Sequence, residues 1–404
     1  MTAVEIYRGL RATLSPKVVL IGVLAGFAGM CLLGRRAAQL DVHKGFVRFT
    51  QYTSPESKYY PTVNEMMSIV RTKIKPGQIL VVVGGNSVLR GVAQLPDQVW
   101  TKHLQEDLGD GYCVVNFAFN SSLITDGASV VAEALRNEYP RQIYIANAAP
   151  TQPPTPGGSN VYRWAYWDAY YKGLLMNDAP RAQAVAENIA KPPFNDGIAE
   201  LRVSAWLDSW CYFNDFWNDV GYEDFNTVWG RLTPGFTDFL KPRKDYKDPD
   251  PDGSLFPFEV RYPASTLEGE MINVRGCSIY AFNKDAAGVW QVYDPVWVNF
   301  TEGIKNIFPP SLKKRTLILM SNNSPYYVHK LTDEERYRDE ITYRMAVQKW
   351  QEGGFDSIEY GRDFTPEDYF DRIHLTWRGA TKLAAIVSTK VRDMSKNLGY
   401  LDQK

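Results

Sequence analysis

Short apolar runs that end on glycine or asparagine alternate with stretches whose apolar positions recur every three or four residues. The first run, Ile79-Leu80-Val81-Val82-Val83, stops at Gly84-Gly85. So short and so uniformly apolar a segment predicts a parallel strand buried on both faces. A helical pattern over Val99 to Leu108 follows, then a second strand, Cys113 to Phe119, whose exit Asn120-Ser121-Ser122 leads into a helix carrying Val130, Val131, Ala134 and Leu135. A third strand, Gln142 to Ala146, ends at Asn147-Ala148-Ala149-Pro150. Strand and helix alternating at these spacings predict a doubly wound parallel sheet. The pattern resumes far downstream, with a strand at Thr316 to Met320, a helix at Asp333 to Glu352, a strand at Ser357 to Tyr360 and an amphipathic C-terminal helix after Thr376. The expected fold is α/β with a five-stranded parallel sheet.

Residues Thr151 to Pro310 interrupt that sheet, opening on the linker-like Gln152-Pro153-Pro154-Thr155-Pro156-Gly157-Gly158. Asp245 to Gly253 forms a second polar break. Between them Trp164, Trp167, Tyr170, Tyr171, Trp206, Trp210, Phe213 and Trp217 recur at helical spacing. These rings suit the core of a helical insertion, or a lid in which Trp167 and Trp210 contact substrate. Strand-like pieces at Ser278 to Phe282 and Val289 to Tyr293 suggest a small β element. The boundaries that follow are an N-terminal tail and anchor to residue 40, a stalk and lead-in over 41–77 with a helix at Asn64 to Lys73, sheet halves over 78–150 and 316–404, and the insertion at 151–315.

Ahead of the sheet, Val18 to Leu33 is an uncharged run of 16 residues flanked by Arg8, Arg11 and Lys17 before it and Arg35 and Arg36 after it. A full membrane span wants roughly 20 apolar residues, so the run is short. The arginines directly after it, with no small-residue cleavage site, favour an uncleaved anchor over a signal peptide. The near-balanced charges leave its orientation undecided. At 404 residues and a formal net charge of −1, the chain shows no electrostatic reason to bind nucleic acid. Cys31, Cys113, Cys211 and Cys277 lack metal-ligand spacing. Buried thiols are expected at Cys31 and Cys113, and a Cys211–Cys277 disulfide stays open.

The candidate chemistry lies at the two ends of the sheet pattern. Gly84-Gly85-Asn86-Ser87 would carry a hydroxyl off the carboxyl end of the first strand, where open α/β sheets place ligands. Nearly three hundred residues later, Asp371-Arg372-Ile373-His374 precedes the last helix. An aspartate three residues before a histidine can bond one ring nitrogen and leave the other to take a serine proton. Taken alone, each segment has a plain structural reading, since Gly, Asn and Ser form turns and Asp371 could cap a helix. His43, His103 and His329 have no comparable setting and read as surface residues.

Gly85-Asn86-Ser87 together with Asp371-Arg372-Ile373-His374-Leu375 and Gly379 resembles the SGNH (GDSL-like) hydrolase superfamily, over roughly Gln78 to Pro150 and Thr316 to Val391. The resemblance implies a flavodoxin-like three-layer sandwich and a Ser87–His374–Asp371 triad. It also implies an oxyanion hole from the main-chain N–H groups of Ser87 and Ser121 and the side chain of Asn147. Ser121 stands where the family has glycine, and Asn147 lacks the usual Gly-x-Asn-Asp setting. Asn86, Asn120 and Asn323 join Trp167 and Trp210 as candidate substrate contacts. No metal or organic cofactor is implied. Membrane-tethered members with large insertions resemble proteins that O-acetylate or D-alanylate envelope polymers outside the cytoplasm. The implied activity is a serine esterase or O-acyltransferase on an extracytoplasmic, periplasmic-side carbohydrate or polymer, with other membrane proteins as possible partners. The rival expectations are an inactive scaffold that binds glycan and a structural subunit of a membrane complex.

Overall fold

The computed structural model describes residues 15–37, 46–49, 52–54, 57–58, 63–120, 122–125, 127–152, 154, 252–305, 307–308 and 310–401. The expected aromatic helices with Trp167 and Trp210, as well as Ser121, His43 and Cys211, fall outside these residues, and so does the side chain of Cys277.

Five parallel strands form the sheet: β1 (Ile79–Val83), β2 (Tyr112–Asn116), β3 (Gln142–Asn147), β4 (Thr316–Ser321) and β5 (Asp356–Tyr360). Their spatial order is β2-β1-β3-β4-β5, and each neighbouring pair is parallel. The chain therefore leaves β1 toward one edge and returns to β3 on its other side. The carboxyl ends of β1 and β3 flank the point where the winding reverses, the place where such sheets open a crevice.

Alternation along the strands assigns the two cores. Ile79, Val81, Val83, Ile143, Ile145, Leu317 and Leu319 face one side, where they meet helices α4 (Trp100–Leu108) and α9 (Trp377–Asn397). Leu80, Val82, Tyr144, Ala146, Ile318 and Met320 face the other. There they meet α2 (Val63–Lys73), α5 (Gly127–Ala134), α7 (Asp294–Lys305) and α8 (Asp333–Glu352). With both faces covered, the inner strands β1, β3 and β4 have no polar side, which is why they read as nearly continuous apolar runs. Helix α9 buries Ala380, Leu383, Ala384, Val387, Val391 and Met394, a stripe at three- and four-residue spacing. Helix α8 starts on a capping box between Thr332 and Glu335.

Three expectations change. The regular second strand ends at Asn116 rather than Phe119: the Asn116 side-chain oxygen accepts the Ala118 N–H at 3.1 Å, while Phe117 N and Phe119 N still donate to the carbonyls of Val83 and Gly85. The strand expected from Ser278 is instead the end of helix α6 (Leu267–Ile279), which buries Met271 and Val274. Only Phe282–Lys284 is extended there, paired antiparallel with Trp290–Val292. Helix α2, expected in a lead-in, is a layer of the core, with Met66, Met67, Ile69 and Val70 buried.

Pro16–Ala37 is a helix of 22 residues, α1. Its Val18, Val19, Leu20, Ile21, Val23 and Leu24 are exposed. Among the described residues no helix is long and apolar enough to cross a membrane, so the structure gives the expected anchor no support. Cys113 is a buried free thiol, as expected, and burial pushes its pKa up to about 11.

Helix α8 also carries a buried carboxylate whose Oδ1 has no partner among the described residues, Asp339. Burial pushes its pKa up to about 6 against the counteracting charge of Arg362, with Glu359 adding to the rise. Between the unfolded value near 4 and the folded value, the native state holds the extra proton, so stability falls as pH rises through that window and is flat above it. A rise of about two pKa units corresponds to a cost of about 3 kcal/mol at neutral pH. Asp339→Asn is expected to stabilise the protein by up to that amount at pH 7, with the gain shrinking toward pH 4. Urea unfolding at a series of pH values measures it, and a gain that grows as pH falls would refute the assignment.

Candidate active site

Glycine fixes the exit from β1. A Cβ on Gly84 would lie 2.6 Å from the Tyr144 hydroxyl and 2.7 Å from Ala128 Cβ. Gly85 has φ +93°, and a Cβ there would lie 2.2 Å from Asn147 Oδ1. Only a residue without a side chain adopts that backbone and admits that neighbour. The next residue, Asn86, caps the short helix α3 (Ser87–Arg90), its Oδ1 accepting the Val88 N–H at 3.0 Å. Ser87 thus stands in the first helical position, where main-chain N–H groups lack intrahelical partners.

The far side of α3 is pinned as well. Leu89 O accepts from Trp100 Nε1 at 2.6 Å and from Asn116 Nδ2 at 3.1 Å. Asn116 therefore both ends β2 and holds the helix that bears Ser87. Its anchoring role becomes visible only through the parallel pairing of β1 with β2.

Asn147, the last residue of β3, answers Asn86 amide to amide. Its Oδ1 accepts the Asn86 N–H at 2.9 Å and its Nδ2 donates to Asn86 Oδ1 at 2.7 Å. One of the two N–H bonds of Asn147 is thereby occupied, and its amide chemistry provides a second. Adjacent strands lie about 4.8 Å apart, so residues ending neighbouring strands meet at the reversal point.

The third contribution comes from the loop before α9. Asp368 lies in a tight turn, and Thr376 N donates to its carbonyl at 2.9 Å. A Cβ on Gly379 would lie 2.2 Å from the same carbonyl oxygen, so glycine there lets α9 close on the turn. Within the loop, Asp371 Oδ1 accepts the N–H groups of Ile373 at 2.9 Å and His374 at 2.8 Å. Its Oδ2 lies 2.7 Å from His374 Nδ1, and His374 Nε2 lies 2.8 Å from Ser87 Oγ. Serine, histidine and aspartate thus form one hydrogen-bonded chain across 287 residues of sequence separation. Burial works to raise the Asp371 pKa, but the hydrogen bond and charge of His374 and the two main-chain N–H groups hold it below the usual carboxylate value. The aspartate remains an anion facing the imidazole.

The remaining candidates are distributed as follows. Asn120 is half-buried, and its Oδ1 is shielded from solvent without a partner among the described residues. Asn323 is buried, and its Oδ1 accepts from Arg372 Nη1 at 2.7 Å, so it meets the loop that bears Asp371 and His374 rather than Ser87. His103 Nδ1 lies 3.3 Å from Glu106, and His329 is exposed. Among the described residues no group of three or more His, Cys, Asp or Glu side chains is placed to hold a metal ion.

Sequence reading missed the surroundings of the loop. Tyr262 hydrogen-bonds Ser324 at 2.8 Å and the Pro366 carbonyl at 2.9 Å. Gln94, fully buried, donates to the Leu375 carbonyl at 3.1 Å. These contacts join segments far apart in sequence, and neither residue type carries a motif. Comparisons of the chain with protein-family models, with curated proteins and with solved structures returned no match.

Proposed function

We propose that the protein is a serine-dependent acyl-transfer enzyme of the SGNH type, acting on an ester. The observation that carries this reading is the continuous hydrogen-bonded chain from Ser87 Oγ through His374 to Asp371. His374 Nε2 takes the Ser87 proton as the oxygen attacks an ester carbonyl, and Asp371 keeps the other ring nitrogen protonated. The tetrahedral oxyanion receives the Ser87 main-chain N–H and the second N–H of Asn147 Nδ2, donors that act on charge as it develops. Ser121 is the further donor that the family resemblance would add. Collapse expels the alcohol, which takes its proton from His374, and leaves an acyl-enzyme. Water or a second hydroxyl, deprotonated by His374, then removes the acyl group.

The proposed substrate is an acylated carbohydrate or envelope polymer, and the proposed location is the outer face of a membrane held by a single N-terminal helix. The location is supported by the uncharged run Val18 to Leu33 and by the exposed apolar side chains of Val18, Val19, Leu20, Ile21, Val23 and Leu24. Both parts rest on resemblance and composition, not on the triad.

Incubation of the full chain with p-nitrophenyl acetate, with and without a polysaccharide acceptor, tests the reading. Release of p-nitrophenol with acetate in solution identifies an esterase, and acetyl ester on the polymer identifies a transferase. No release under either condition would leave the arrangement as a binding scaffold.

A further inference from the structure

We propose that Arg372, which lies between the two loop members of the triad, is the positioning residue that holds the Asp371–His374 pair at the distance Ser87 requires. This inference rests on the acyl-transfer reading of the site.

The bonds inside the loop do not place it. Asp371 Oδ1 gathers the N–H groups of Ile373 and His374, and Phe370 N donates to His374 O at 2.8 Å. These contacts shape the loop but tie it to no other element. Tyr369 Oη donates to the Asn322 carbonyl at 3.2 Å before the pair and Gln94 to the Leu375 carbonyl at 3.1 Å after it, but from within Asp371 to His374 the ties to the β4 exit and to α6 are those of Arg372. The Arg372 carbonyl accepts the Ser324 N–H at 2.8 Å. Its Nη1 donates to Asn323 Oδ1 at 2.7 Å, and its Nε donates to Glu270 Oε2 at 2.7 Å. One guanidinium therefore spans the β4 exit and helix α6, a task its rigid planar fork performs and a single ammonium does not.

Both anchor points are themselves fixed. Helix α6 buries Met271 and Val274 in the core that also holds Tyr327 and Leu331. Arg275 of α6 bonds Glu335 at the start of α8 at 3.0 Å. Asn323 is only 3% exposed. Because arginine has only donors, the Asn323 oxygen must be the atom that faces it. The amide nitrogen is then the end left buried without a partner among the described residues.

The part Arg372 plays is geometric. The groups that hold the Asp371 pKa down are His374 and the two loop N–H groups. A catalytic group displaced by about 1 Å loses on the order of 100-fold in rate, and such a displacement is what loss of the clamp permits. The main-chain bond from Ser324 survives substitution, so the loop shifts rather than unfolds.

Arg372→Gln is expected to lower kcat for p-nitrophenyl acetate by about 10- to 100-fold with KM within about twofold. Arg372→Lys, able to reach one anchor at a time, should fall between. The second readout needs no turnover. With four histidines in the chain, the His374 Nδ1 proton bonded to Asp371 is identified in the downfield NMR spectrum by its loss in His374→Ala. That resonance should broaden or move upfield in Arg372→Gln while the thermal midpoint stays within a few degrees. Should Arg372→Gln fail to fold, Glu270→Ala and Asn323→Ala, which remove one anchor each, are expected to produce the same spectral change in smaller measure.

A sharp, unshifted resonance in the variants together with turnover within twofold of the parent would overturn the proposal, as would absence of the resonance from the parent protein. A parent that shows the resonance but never turns over an ester would sink the acyl-transfer reading alone. The spectral comparison would then still decide the clamp.

Discussion

His374→Ala is expected to reduce ester turnover by about 10⁴-fold or more, with the protein still folded. The ring is the only group among the described residues that hydrogen-bonds Ser87 Oγ. Without it the hydroxyl must lose its proton to water at the moment of attack, and the departing alcohol has no acid to protonate it. The imidazole is half-buried on a loop whose main-chain bonds do not involve the ring, so the fold should persist. Steady-state kinetics with p-nitrophenyl acetate, alongside circular dichroism, measure both parts. Turnover within tenfold of the parent would remove His374 from the mechanism.

Asp371→Asn is expected to cost about 10³- to 10⁴-fold by a subtler route. Asp371 uses Oδ1 for the N–H groups of Ile373 and His374 and Oδ2 for the ring. An asparagine would keep its oxygen on the two N–H groups and turn its NH₂ toward Nδ1 of the imidazole. Nδ1 must then accept, the ring proton moves to Nε2, and the nitrogen facing Ser87 can no longer take its proton. The geometry survives and the tautomer is wrong. Kinetics and a structure of the variant check this together: lost activity with an unmoved histidine is the predicted result, and retained activity would contradict the assigned role.

What the chain disclosed before folding follows the range of the physics involved. Strands buried on both faces leave local traces, so β1, β3 and β4 stand in the sequence as apolar runs with ends correct to a residue or so. Helix α8 reads equally well because a capping box and an end at Gly353 mark its limits. Phe117 to Phe119 misled only in part, since Phe117 N and Phe119 N still bond the carbonyls of Val83 and Gly85 beside β1 although the regular strand stops at Asn116. Ser278 to Phe282 misled because the apolar face of α6 was decided by what it packs against, not by its own pattern.

The same division runs through the site. Ser87, His374 and Asp371 were legible because glycine-assisted turns and an Asp-x-x-His spacing are local signatures. The pairing of Asn147 with Asn86 was not, since it follows from β3 lying beside β1. Arg372, Glu270, Asn323 and Tyr262 were invisible as a group, because nothing in a row of residues shows that α6 comes to lie against the loop before α9.

The most direct measurement is the intact mass of the full chain after exposure to a fluorophosphonate probe. The parent protein should gain one phosphonyl group, mapped by peptide sequencing to Ser87, and Ser87→Ala should gain none. A parent that stays unmodified, or a label that persists at another serine in Ser87→Ala, would show that the alcohol at the end of β1 is not an activated nucleophile.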